Sequence, residues 1–254
     1  MTKLEIAVQD AAGARIAKEN GADRIELCSA LGMGGLTPTL ATTEQVVAVG
    51  IGVHVLVRPR GGGYIYSPEE VDLMVVEITQ AARAGVAGIV IGALTENDEA
   101  LDIPVLLTLA AAAHAVDAGI EVTVHRCVDV LLEKGMAIKE LIEQLRSAGA
   151  HRVLTSGGAP ASGAGIEALR RMHAASSGNP QIQAGGGVKL GDIAGLAGLD
   201  GVHLSARTRT VHGASGPGGG ESGFDATSAE LVAAAAVALE SAGEQEAHPD
   251  TIPG

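Results

Sequence analysis

The chain has 254 residues, of which 46% are hydrophobic and 19% charged, enough apolar side chain for a large core and too little charge for disorder. Its 17 basic and 30 acidic residues give a net charge of −13, which argues against a general role in binding nucleic acid or anionic lipid. Three aromatic residues, Tyr64, Tyr66 and Phe224, are too few for a stacking surface for bases.

Short apolar runs recur along the chain and predict strands at Leu4–Val8, Arg24–Cys28, Val53–Arg58, Gly88–Gly92, Glu121–Arg126, Arg152–Ser156, Gln181–Gly185 and Gly201–Ala206. Several are nearly continuous in Val, Ile and Leu, the pattern of strands covered on both faces. Helical stretches are expected between them at Asp10–Asn20, Thr43–Val49, Pro68–Ala84, Leu101–Ala118, Met136–Ala148 and Gly165–Ala174, with a short one at Lys189–Leu196 and a long one at Thr227–Ala242. Ser67, Pro68, Glu69 and Glu70 spell a helix start. Gly21, Gly85, Gly119 and Gly149 each stand where a helix should stop before a strand. Eight alternating units predict a single (β/α)8 TIM-type barrel over residues 1–244. The glycine-rich Val211–Gly223 is expected to be a mobile loop on the functional side, and residues 245–254 a flexible tail. No run of ~18 apolar residues and no N-terminal apolar h-region occurs, so neither a membrane span nor a signal peptide is expected, and the chain is expected to be cytoplasmic.

A barrel of this kind places its chemistry at the C-terminal ends of the strands. Reading only those ends gives a polar set. Glu5 and Glu26 interrupt apolar runs, where a carboxylate must be paired, protonated or functional. Arg58 and Arg60 flank Pro59 and suit a carboxylate or phosphate, or the neutralisation of Glu26. His125, followed by Arg126 and Asp129, is the leading acid/base group, with Asp129 able to orient it. Thr155, Ser156, His203 and Ser205 end the sixth and eighth strands. Gly186 lies in a glycine run after the seventh, the usual place for a phosphate cradle in barrels. Cys28 and Cys127 are soft donors but form no close-spaced metal motif, and two cysteines are too few for a disulfide framework.

Several stretches together resemble the CutC family: residues 20–28 (NGADRIELC), 34–38 (GGLTP), 57–62 (VRPRGG) with Tyr66 and Ser67, 124–129 (VHRCVD), 152–157 (RVLTSG), 184–187 (AGGG) and 203–205 (HLS). They run in family order from about residue 3 to 209. The resemblance implies a TIM-type barrel, a cytoplasmic location, a homodimer and a link to copper tolerance through Cu(I) binding by cysteine, with Cys28 the thiolate. It also implies a pocket containing Glu5, Glu26, Cys28, Arg58, Arg60, His125, Arg126, Asp129, Thr155, Ser156 and His203. The chain departs from the family pattern at Val124, Cys127 and Val128, where Phe, Ala and Phe are usual, and at Ala7, where Cys is frequent. The soft ligand frequent at position 7 is lost while the charged set remains. Three functions are therefore expected in competition. One is copper handling. The second is an enzyme on a small anionic or polyhydroxylated metabolite, with His125 as acid/base, Glu26 as its partner and Arg58, Arg60 and Arg126 as anion clamps. The third is a small-molecule sensor without turnover.

Overall fold

A computed structural model describes residues 1–217 and 222–247. Eight parallel strands close into a barrel in sequence order: β1 Lys3–Val8, β2 Arg24–Leu27, β3 Gly52–Leu56, β4 Gly88–Ile91, β5 Glu121–Val124, β6 Arg152–Thr155, β7 Gln181–Ala184 and β8 Gly201–Leu204. Closure comes from β8 pairing with β1, Glu5 standing opposite His203. Around the barrel lie α1 Ala11–Glu19, α2 Leu40–Val47, α3 Pro68–Arg83, α4 Ile103–His114, α5 Cys127–Glu133, α6 Ile138–Ser147, α7 Ile166–Ser176, α8 Ile193–Leu196 and α9 Ala229–Ala247.

Helix starts follow from local chemistry. The side chains of Asp10, Thr39 and Asp102 each accept a backbone N–H from the first turn of α1, α2 and α4. Ser67 and Glu70 form a reciprocal capping box at the start of α3.

The strands have two different faces, because successive residues of a strand point to opposite sides. Outward residues such as Ile6, Ile25, Val55, Ile89, Val122 and Val153 join the helices in one large apolar core. The alternate, inward positions carry Glu5, Glu26, His54, Arg152, Gln183 and His203, all buried or nearly so. This is why carboxylates appear inside apolar runs: the run is apolar toward the helices and polar toward the barrel axis.

Five expectations need correction. The fifth strand stops at Val124, so His125 and Arg126 lie in the turn before α5, a helix the apolar periodicity did not reveal. The fourth helix is shorter than expected, and the second starts earlier, at Leu40. An antiparallel hairpin, β9 Arg207–Val211 with β10 Gly223–Thr227, was not expected; the segment expected as a loop, Val211–Gly223, is its connection, of which residues 218–221 lie outside the described residues. Finally, α9 continues to Ala247, through the first residues expected in the tail, and the rest of that tail, 248–254, lies outside the described residues.

Candidate functional site

A cavity of about 840 Å3 opens at the C-terminal ends of the strands, within the ~300–1,000 Å3 range of small-ligand sites. Glu26, Arg58, His125, Arg126, Asp129 and His203 line it, with Gly186, Ser205 and Arg207. The remaining sequence-derived residues stand elsewhere. Glu5 is buried below His203, Thr155 and Ser156 are buried behind Asp129, and Cys28 is packed against Leu56 and Val90. The Arg60 guanidinium pairs with Glu70 at the start of α3, and its Cζ lies 5.2 Å from the centre of the Tyr66 ring.

On the floor, Glu5 is fully engaged. It accepts from Arg24 Nε at 2.6 Å, from Gln183 Nε2 at 2.5 Å, and is bonded to His203 Nδ1 at 2.8 Å. Burial works against its charge, but the His203 hydrogen bond and the Arg24 guanidinium outweigh that and hold its pKa well below the ordinary carboxylate value. With Nδ1 of His203 committed to Glu5, Nε2 is the ring atom left for a ligand. Burial also opposes protonation of His203, yet the charges of Glu26 and Glu5 raise its pKa.

Glu26 contrasts with Glu5. Its Oε2 is buried and has no hydrogen-bond partner. Burial lifts its pKa to about 7, with His203 pulling it down and Glu5 pushing it up. A carboxyl in this condition can carry a proton near neutral pH and give it up. No ion pair joins it to Arg58 or Arg60 among the described residues.

Arg58 instead holds two loops. Its Nη1 donates to the Gly35 carbonyl at 3.1 Å and its Nη2 to that of Gly62 at 2.8 Å, while Cζ sits 5.3 Å from the Tyr64 ring centre. Its Nε, like His125 Nε2 and the Tyr66 hydroxyl, is buried without a partner.

His125 is buried against Gly92, where any Cβ would collide with its ring and stand 2.6 Å from Cys127 Sγ. Burial and the Arg58 charge depress its pKa to about 3. Its Nδ1 accepts the Cys127 N–H at 3.2 Å, so the neutral ring carries its proton on Nε2. Such a ring offers a fixed N–H donor rather than a base.

Asp129 is a scaffold for Arg126. It accepts from Thr155 Oγ1 at 2.5 Å, from the N–H groups of Ser156 and Gly158 at 3.1 Å each, and from Arg126 Nε at 2.7 Å. Arg126 Nη2 donates to Ser156 Oγ at 3.2 Å, and Nη1 has no protein partner among the described residues. The guanidinium lies over Gly186, whose φ of +99° suits glycine and where a Cβ would stand 2.6 Å from Nη1. Arg207, at the start of β9, faces the same cavity and pairs with Asp225 at 2.7 Å.

Sequence reasoning placed His203 among the substrate-binding residues and gave Arg207, at the end of the eighth strand, no role. Arg207 lies beyond the end of β8 at Leu204 and after Ala206, whose φ is +37°, so strand alternation does not reach it. No helix among the described residues is long and apolar enough to cross a membrane.

Comparisons with known proteins agree with this architecture. The CutC family profile matches residues 2–210. A family protein CutC from Agrobacterium fabrum is 38% identical over 193 residues, covering 76% of this chain and 73% of its own length. Another, from Photorhabdus laumondii, is 38% identical over 209 residues, covering 81% and 80%. Among solved structures, a CutC protein from Streptococcus agalactiae, to which copper homeostasis is provisionally ascribed, superposes with a TM-score of 0.71 at 24% identity, covering 81% of this chain and 99% of that one.

Proposed function

The chain belongs to the CutC family, and from that premise we propose that its barrel mouth binds a small anionic metabolite and transfers a proton on it. The observation that carries this reading is Glu26: a buried, unpartnered carboxyl with a pKa lifted to about 7, set beside His203 on the floor of the cavity. Arg126, held by Asp129 over Gly186, and Arg207 supply positive charge at the mouth. They draw in an anionic group and orient it. Glu26 then acts as the proton acceptor or donor, and His203, fixed by Glu5, presents Nε2 beside it. His125 contributes a neutral Nε2–H donor to an oxygen of the ligand, a role its low pKa favours over that of a base.

The donors present decide whether copper fits. Cu(I) selects thiolates and thioethers. Cys28 and Cys127 are both fully buried and neither lines the cavity. Burial pushes both thiols up, reinforced by Glu26 at Cys28 and by Asp129 at Cys127. Among the described cavity-lining residues, Met33 is the single sulfur donor. Among the described residues the cluster of metal-binding side chains is Glu5, Glu26 and His203, two hard carboxylates and one borderline imidazole with no thiolate, and Glu5 is already engaged by Arg24, Gln183 and His203. These residues do not fit a Cu(I) site. The homodimer and cytoplasmic setting implied by the family belong to the same reading, and sedimentation of the purified chain tests the first.

The test is calorimetric titration of the purified protein with inorganic phosphate and a panel of short sugar phosphates and hydroxycarboxylates. Binding of these anions at the mouth, weakened at least ~10-fold by Arg126→Ala, is the expected result. Failure of every anion to bind, alongside tight one-to-one Cu(I) capture, would replace this reading with copper handling.

A further inference from the structure

We propose that the gap between Glu26 and His203 is a hydroxyl-recognition subsite, and that the ligand is a short polyhydroxylated anion whose hydroxyl-bearing carbon enters that gap. This rests on the anion-binding reading above and goes further by naming the second functional group of the ligand.

The geometry carries the argument. Atoms of Glu5, Glu26 and His203 able to bind a ligand lie within 4.8 Å of one another. Glu5 and His203 close their distance to a 2.8 Å hydrogen bond. Glu26 makes no such contact, because among the described residues it forms no ion pair with His203 at 4.0 Å or less. A Glu26 oxygen and a His203 ring nitrogen more than a hydrogen bond and less than 4.8 Å apart leave room for one bridging atom. Hydrogen bonds of ~2.7 and ~2.9 Å meeting at a tetrahedral oxygen span about 4.6 Å.

The chemistry of the pair narrows what that atom is. A carboxylate only accepts, and an imidazolium with Nδ1 spent on Glu5 has one N–H left to donate. A hydroxyl both donates and accepts, so it satisfies Glu26 and His203 at once. A carbonyl would leave the carboxylate unmatched, and an ammonium would leave the imidazolium so. The two groups are also interchangeable in proton content: with Glu26 protonated and His203 neutral, the same hydroxyl accepts from one and donates to the other. Glu26 Oε2 is buried and unpartnered, so filling it removes the desolvation penalty of an orphaned acceptor. The other unpartnered atoms on the cavity wall, His125 Nε2 and Arg58 Nε, are donors and suit further ligand oxygens. The anionic end of the ligand lies toward Arg126 and Gly186, in the turns after β5 and β7.

Three probes separate the two halves of the account: inorganic phosphate and the two three-carbon esters n-propyl phosphate and sn-glycerol 3-phosphate, titrated calorimetrically into wild type, Glu26→Leu and Glu26→Gln. In wild type, glycerol 3-phosphate should bind at least ~10-fold more tightly than propyl phosphate, which lacks the hydroxyls. In Glu26→Leu that advantage should fall below ~2-fold while affinity for inorganic phosphate stays within ~3-fold. Glu26→Gln, which keeps the shape and part of the hydrogen bonding, should fall between and serves if the leucine variant does not fold. Equal affinity of the two esters in wild type, or an advantage that persists in both variants, overturns the hydroxyl subsite and leaves the anion reading standing. If none of the three binds, the anion reading itself fails and this inference falls with it.

Discussion

Nδ1 of His203 lies 2.8 Å from Oε1 of Glu5, across the seam where the last strand of the barrel pairs with the first. That bond joins residues 198 positions apart and exists only when the barrel is closed. It fixes which nitrogen of His203 reaches the cavity, and it leaves Glu26 as the one floor carboxylate with a free oxygen among the described residues. The properties of the site follow from that division between an occupied carboxylate and a vacant one.

Stability should fall as pH rises through neutrality. Glu26 has a pKa of about 7 in the folded protein, against ~4.3 in an unfolded chain. Folding therefore favours its protonated form, so its contribution is whole below about pH 4 and is lost as pH rises through 7. The loss is on the order of 2–4 kcal/mol. His203, also raised, acts in the same direction, being fully stabilising below ~6.5 and losing that contribution above its folded pKa. Glu26→Gln removes the larger part of this dependence. Melting curves should show the variant more stable than wild type at about pH 8 and equal within ~1 kcal/mol near pH 4.5. Parallel curves across that range would mean that Glu26 is ionised and solvated.

Arg58→Ala should destabilise the protein without altering the titration of Glu26. The guanidinium is buried and serves backbone carbonyls of Gly35 and Gly62 rather than the carboxylate. Losing charged hydrogen bonds to two loops costs about 2–4 kcal/mol. Chemical denaturation measures the loss, and hydrogen exchange should localise it to residues 31–35 and 61–66. A loss confined to alkaline pH would instead indicate pairing with Glu26.

Much of the fold was legible because each β/α unit carries its own local signals. Ser67 and Glu70 announce α3, and glycines such as Gly85 end helices before strands. The hairpin of β9 and β10 was not legible, since its strands are short, rich in Thr and Arg and nearly free of large apolar residues. At the site, strand alternation explains why Glu26, Arg58 and His203 share one cavity. Which arginine faces inward, and which carboxylate is paired, depend on register and on loop contacts. Arg58 and Arg60 are two residues apart, yet one is buried under Tyr64 and the other reaches out to Glu70. Cys28 looked exposed to chemistry at a strand end and is instead sealed between Leu56 and Val90.

Both thiols should be inert in the folded state. They are fully buried and held protonated. A thiol reagent should label neither Cys28 nor Cys127 until denaturant is added, and titration of the reduced protein with Cu(I) against a competing chelator should show no tight site. One equivalent of Cu(I) captured from the chelator, and lost in Cys28→Ser, would contradict the placement of that thiol.

Gly186→Ala should impair anion binding while leaving the barrel intact. The new Cβ would meet the Arg126 guanidinium, and φ of +99° is unfavourable for alanine. Arg126 must then move off its seat beside Asp129. Affinity for inorganic phosphate should fall about 10-fold, or ~1.4 kcal/mol, with a larger effect than for Gly191→Ala, where open space surrounds the added carbon. Equal effects of the two substitutions would remove Arg126 from the binding account.

The most direct test of the proton-transfer account is a difference infrared titration of wild type against Glu26→Gln. The account predicts a protonated-carboxyl band present near pH 5.5, disappearing around pH 7 and missing from the variant, as expected for the carboxyl whose pKa burial lifts to about 7. An identical spectrum for the two proteins from pH 5.5 to 8 would show Glu26 to be an ordinary ionised carboxylate with no proton to transfer near neutrality.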